Sequence, residues 1–157
     1  MTGNAATVSK RLNLSVQYRA RAPWVPERTE VRRWARAALA GGGQITVRFV
    51  DNDEGRQLNC DYRGKDYATN VLSFSYETEP LVCGDLVIAP AVCAAEALAQ
   101  GKSVTDHMAH LVVHGVLHLS GYDHECDSQA AEMESRERQI LAILGIADPY
   151  LVDNDKC

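Results

Sequence analysis

The chain has 157 residues, 46% of them apolar and 24% charged, which suits one folded domain with a real hydrophobic core and excludes a disordered or fibrous chain. No apolar run approaches the ~18 residues of a membrane span, and Met1 to Lys10 lack the apolar stretch of a signal peptide, so a cytoplasmic protein with no membrane partner is expected. A net charge of −5 excludes a generally basic nucleic-acid binder; any RNA partner would need a local basic patch.

In chain order, residues 1–10 are small and polar and are expected to be flexible. Leu12-Asn-Leu-Ser-Val-Gln-Tyr18 alternates apolar and polar residues, the period of a half-buried strand, and Pro23 and Pro26 break it. A helix is expected over 27–40, with Val31, Trp34, Ala35, Ala38 and Leu39 inward and Arg32, Arg33 and Arg36 outward. Gly41-Gly42-Gly43 ends it and reads as a linker, since glycines that follow a helix stand in the wrong order for a phosphate-cradling loop. A second strand over 44–50 carries Ile45, Val47 and Phe49, and Asp51 or Asp53 caps a short helix through 58–62. Arg63-Gly64-Lys65-Asp66 reads as a polar loop. Strands follow over 71–76 and 84–89, the latter almost continuously apolar and therefore central. Pro90 opens a helix that Gly101 ends. Ser103 or Thr105 opens the next, with Val104, Met108, Leu111, Val112 and Leu119 on its buried side. A last helix is expected over 127–144, stopped by Gly145, with 152–157 flexible. The pattern predicts a single α+β domain over 1–157: a small mixed four-stranded sheet packed with about five helices, one of which bears histidines. The five cysteines (Cys60, Cys83, Cys93, Cys126, Cys157) are odd in number and form no C-x2-C pair, so they read as reduced thiols.

The chemistry gathers in His114-Gly-Val-Leu-His118-Leu-Ser-Gly121-Tyr-Asp-His124. Four residues on a helix are ~6 Å of rise and about 40° of rotation, so His114 and His118 leave the same face. Gly121 supplies the left-handed position that ends the helix, and His124 can return over that face as a third nitrogen. Three histidines with an open fourth position are the ligand set of a catalytic zinc, one per chain, and point to a metal-dependent hydrolase. His110 shares the stripe but sits ~12 Å along the axis from His118, too far for the same ion, and His107 is farther; both read as supporting or packing residues. Cys126 could reach the metal, which would close the site and make it structural, and Asp123 could support a ligand or simply occupy an exposed turn. Arg63 and Lys65 fit two descriptions, a solvated loop or an anion site in which they meet substrate phosphates; spacing alone does not place them near the metal.

The histidine spacing resembles that of metzincin metalloproteases, H-E-x2-H-x2-G-x2-H, with Gly115 in place of the glutamate that activates water. A glycine cannot take a proton, which argues against peptide hydrolysis. A closer resemblance is to the YbeY-type endoribonucleases, carried by H114-G-x-L-H118-L-x-G121-Y-D-H124. It is also carried by Leu58-Asn59-x3-Arg63-x-Lys65-Asp66-x2-Thr69-Asn70-Val71-Leu72-Ser73-Phe74, by Gly84-Asp85, and by Glu132-Met133-Glu134 leading to Asp148-Pro149-Tyr150. The likeness covers roughly residues 12 to 150 and departs at Ser75, where proline is commoner, and at Asn70, where aspartate is frequent. It implies zinc on His114, His118 and His124, with Arg63 as the essential residue beside them. It also implies a single-stranded RNA substrate, notably the 3′ end of small-subunit ribosomal RNA, and a role in ribosomal RNA maturation and ribosome quality control. The small ribosomal subunit would be its setting, and the attacking group water, with the RNA 2′-hydroxyl as the alternative; the sequence leaves the oligomeric state open, with a monomer expected. The competing expectations are a metal-dependent hydrolase of another substrate and a non-catalytic ribosome-assembly factor with a structural zinc.

Overall fold

A computed structural model describes residues 11–150; the flexible ends expected at 1–10 and 152–157, and Cys157, lie outside the described residues. Four strands, β1 (Leu12–Tyr18), β2 (Gly43–Phe49), β3 (Val71–Glu77) and β4 (Val82–Ile88), form one sheet in the order β1-β2-β4-β3. The β1–β2 and β2–β4 pairs are parallel and β3 runs antiparallel to β4, so the sheet is mixed and β3 is an edge. Five helices complete the domain: α1 (Arg28–Ala38), α2 (Asn52–Arg63), α3 (Pro90–Gln100), α4 (Val104–Leu119) and α5 (Asp127–Ile143). The expected α+β domain with a four-stranded mixed sheet and five helices is what forms. None of the described helices is long and apolar enough to cross a membrane.

Helix α4 is the centre of the packing. It is apolar nearly all round, with Met108, Leu111, Val112, Val113, Val116 and Leu119 buried, and contacts β3, β4, α1, α3 and α5. Its one polar stripe is His110, His114 and His118, spaced four apart and only partly covered. Two glycines let helix and sheet approach this closely. A Cβ on Gly115 would stand 2.7 Å from Leu86 Cδ2, and one on Gly84 of β4 would stand 2.5 Å from Leu119 Cδ2 and 2.7 Å from the Phe74 carbonyl. Gly115 thus occupies the sheet-facing side of α4, where a longer side chain has no room. On the other face of the sheet, α2 lays Leu58 over Val50, Leu72, Val87 and Phe74, a smaller second core.

Several local signals resolve as single residues. Asp51 rather than Asp53 caps α2, its Oδ1 accepting from the Glu54 amide at 2.8 Å, and Ser103 rather than Thr105 caps α4. Three expectations need correction. Gly43 is the first residue of β2, paired with Leu12 and Val82, rather than part of a linker, and α1 stops at Ala38. A Cβ there would lie 3.0 Å from the Val82 carbonyl, so the glycine serves close strand packing. Arg63 is the last residue of α2 and not a loop residue, because the helix ends on a left-handed Gly64 at φ 68°.

Candidate metal centre and cleft

The α4 terminus builds the centre. Gly121, at φ 104°, turns the chain back; its amide bonds the His118 carbonyl, and the Tyr122 amide reaches the Leu117 carbonyl at 3.0 Å. This reversal brings His124 over the helix, its ring 4.9 Å from that of His118 and 5.7 Å from that of His114, centre to centre. The ligating atoms of His114, His118 and His124 all lie within 4.8 Å of one another.

The outer nitrogens decide what the inner ones are. His118 Nδ1 faces the Tyr122 carbonyl at 3.2 Å, and His114 Nδ1 faces Glu137 Oε2 at 3.3 Å. A carbonyl and a carboxylate only accept, so in the neutral rings both Nδ1 atoms donate and both Nε2 atoms present lone pairs. Those two Nε2 atoms are 3.1 Å apart. Facing lone pairs repel unless a cation lies between them, and ligands at ~2.1 Å around a tetrahedral zinc stand about 3.4 Å apart. The donor set therefore fits a metal ion. Burial, then the neighbouring His114 and His124 rings, hold His118 below the ordinary histidine range, which favours the neutral ligating form.

Behind the histidines sits a residue that the sequence reading missed. Glu137 of α5 is fully buried and accepts from His110 at 2.6 Å, from His114, and from the Tyr150 hydroxyl at 2.8 Å. Burial alone would raise its carboxyl; hydrogen bonds from His110 and His114 outweigh that and hold it at about 2. A signal for it was present. Met133, Glu137, Ile140 and Leu141 form the buried stripe of α5, and an unpaired carboxylate does not belong on such a stripe. Tyr150 is held in turn, its amide donating to Asp148 Oδ1, whose carboxylate pairs with Arg138 at 3.1 Å.

The remaining named residues separate clearly. His110 bonds Glu137 outside the three-histidine group, and His107 bonds Glu96 at 2.9 Å. Asp123 accepts from the His124 amide at 2.7 Å and so shapes the turn rather than supporting a ring. Cys126 is exposed, with its thiol on Ser128 Oγ, and is not among the grouped ligating atoms.

The histidines open into a cleft of ≈ 910 Å³ walled by the edge strand β3, the end of α2 and the Pro149–Tyr150 segment. Arg63 and Lys102 line it; Glu96, which also lines it, is engaged by His107 and Asn70. The structure thus brings Arg63 into one cleft with the three histidines. Lys65 is exposed just past the end of α2 and is not part of that lining.

Fold and site together define a class: a mixed-sheet α+β domain with a helix-borne histidine cluster, able to hold a metal ion, at the floor of a cleft. Comparison with known proteins narrows it. The family profile described as Endoribonuclease YbeY matches residues 15–145. The Endoribonuclease YbeY of Aromatoleum aromaticum is 51% identical over 156 residues, covering 96% of this chain and 99% of that one. That of Alkalilimnicola ehrlichii is 56% identical, covering 90% and 93%. The solution structure of TM1509 from Thermotoga maritima shares the fold with a TM-score of 0.57 at 21% identity, covering 88% of this chain and 99% of that chain. The chain belongs to the YbeY endoribonuclease family, and so is a nuclease whose substrate is RNA.

Proposed function

We propose that the chain is a zinc-dependent, single-strand-specific endoribonuclease that matures the 3′ end of 16S ribosomal RNA and acts in ribosome quality control, working as a cytoplasmic monomer on the small subunit. The observation that carries the reading is the shared cleft: Arg63, delivered by α2, and the three histidines, delivered by α4 and the turn after it, border one space. In this reading His114, His118 and His124 hold one zinc. A zinc ion there supplies Lewis acidity and an activated nucleophile for phosphodiester cleavage. Glu137 and the Tyr122 carbonyl fix the two helix-borne rings, so that their Nε2 atoms are aimed before any metal arrives. Arg63 faces the phosphoryl group and offsets the charge that develops on it, and Lys65 meets a neighbouring phosphate.

The test is a precursor of the small-subunit RNA carrying its 3′ extension, incubated with the purified chain and mapped at nucleotide resolution. Cuts within the unpaired 3′ region, absent when a complementary strand is annealed over it, are expected. Intact precursor alongside cleavage of unrelated RNAs would remove the ribosomal assignment and leave a general nuclease.

A further inference from the structure

Residues 11–36 contain seven arginines and two acidic residues, a local balance of +5 in a chain of −5, which leaves −10 for the remainder. All seven (Arg11, Arg19, Arg21, Arg28, Arg32, Arg33, Arg36) are exposed, and among the described residues none of them appears in an ion pair. Three of them, Arg21, Arg28 and Arg32, are held by contacts along one edge. Arg28, Arg32 and Arg36 stand four apart on α1, ~6 Å per step. Arg28 donates to the Val16 carbonyl at 3.2 Å and Arg32 to the Leu12 carbonyl at 3.4 Å, so the stripe runs along the free edge of β1. Arg21 and Arg28 both stack on the Tyr18 ring, at 4.5 and 5.3 Å, and rim a cavity of ≈ 600 Å³ where the stripe ends.

An acidic chain that gathers uncompensated guanidiniums on one edge has built an anion surface, and the step along it is on the scale of successive phosphates on a nucleic-acid strand. β1 and β3 are opposite edges of the sheet, separated by two strands, so this surface is distinct from the cleft. Resting on the reading that the cleft cuts RNA, we infer that the arginine stripe on the β1–α1 edge is a second RNA-binding surface, taking the phosphate backbone of folded RNA while the cleft takes an adjoining unpaired strand. Guanidiniums on phosphates carry no base sequence; the stripe supplies affinity and raises the local concentration of the strand to be cut.

The test compares Arg21→Ala/Arg33→Ala/Arg36→Ala with the matching triple lysine variant; Arg28 and Arg32 are spared because they cover the edge of β1. Binding of a stem–loop RNA with a 3′ unpaired tail is measured across a salt series, and cleavage of a short unpaired oligonucleotide is measured beside it. Removing three phosphate contacts should make the slope of log K against log salt shallower by about 3 and weaken binding about 10²-fold near 0.15 M salt. The lysine variant should keep most of both, and the short oligonucleotide should be cut at the parental rate by all three proteins. An unchanged salt slope in the alanine variant, or a lysine variant as weak as the alanine one, overturns the proposal. Binding to vesicles containing phosphatidylserine is measured for the same proteins, and a loss confined to those vesicles also overturns the proposal by assigning the stripe to a lipid surface. If the alanine variant loses folded-RNA binding as expected but the parental chain does not cut the short oligonucleotide, the stripe stands and the nuclease reading of the cleft falls.

Discussion

Replacing His118 with alanine should remove zinc and activity together, whereas replacing Arg63 with alanine should leave the zinc bound and lower RNA cleavage by about 10²–10³-fold. The two residues share a cleft but differ in kind. His118 supplies one of two facing Nε2 atoms, and without it His114 and His124 remain as a pair that holds zinc weakly. The stabilisation that bound zinc gives the fold disappears with it, so the melting temperature of His118→Ala should no longer respond to added zinc. Arg63 is exposed at the last turn of α2, and its truncation removes no packing. Arg63→Lys should recover only part of the activity, because an ammonium retains the charge but loses the planar fork. Zinc content, melting temperature and cleavage of an unpaired RNA distinguish all three. Parental cleavage by Arg63→Ala would make Arg63 a surface residue with no part in the reaction.

Glu137 should be the most damaging position away from the open side of the centre. It is fully buried and joins His110, His114 and Tyr150. Glu137→Ala leaves the partly buried His110, His114 and Tyr150 without their shared acceptor, at a cost of about 1–3 kcal/mol. Glu137→Gln keeps the shape but removes the charge that orients His114, and should weaken zinc binding about 10–100-fold. Because Glu137 touches His114 and does not line the cleft, a positioning role is expected of it. At saturating zinc the glutamine variant should therefore regain cleavage to within about tenfold of the parent. A cleavage defect that zinc does not repair, with normal zinc affinity, would give Glu137 a direct part in the reaction instead.

How much of this was legible depends on how local each signal is. The strands could be read because β1 and β2 alternate with period two and β4 is apolar on both faces; the caps at Asp51 and Ser103 were narrowed to two residues each. The histidine turn was legible because helix rise, a left-handed Gly121 and a returning His124 all act within eleven residues. The end of α2 was less so. Gly64 was read as part of a loop, yet as a helix terminator it places Arg63 on rigid backbone. Gly43 looked like one of three linker glycines, and only its pairing with both Leu12 and Val82 explains it. Asp123 had a turn role and a ring-supporting role open to it, and a choice between them needs coordinates. Glu137 lies 23 residues from His114 in sequence, so no spacing rule links them, though its place on the apolar stripe of α5 was visible. Long-range partnership is what a single sequence does not encode locally.

RNA cleavage should depend on a zinc ion held by the three histidines. The most direct measurement is zinc content of protein purified without added metal, paired with cleavage of one unpaired RNA before chelation, after it, and after zinc is restored. About one zinc per chain is expected, with cleavage abolished on removal and recovered on return, and no recovery in His118→Ala. A chain that contains no zinc, takes none up, and cuts RNA equally in chelator would contradict that dependence.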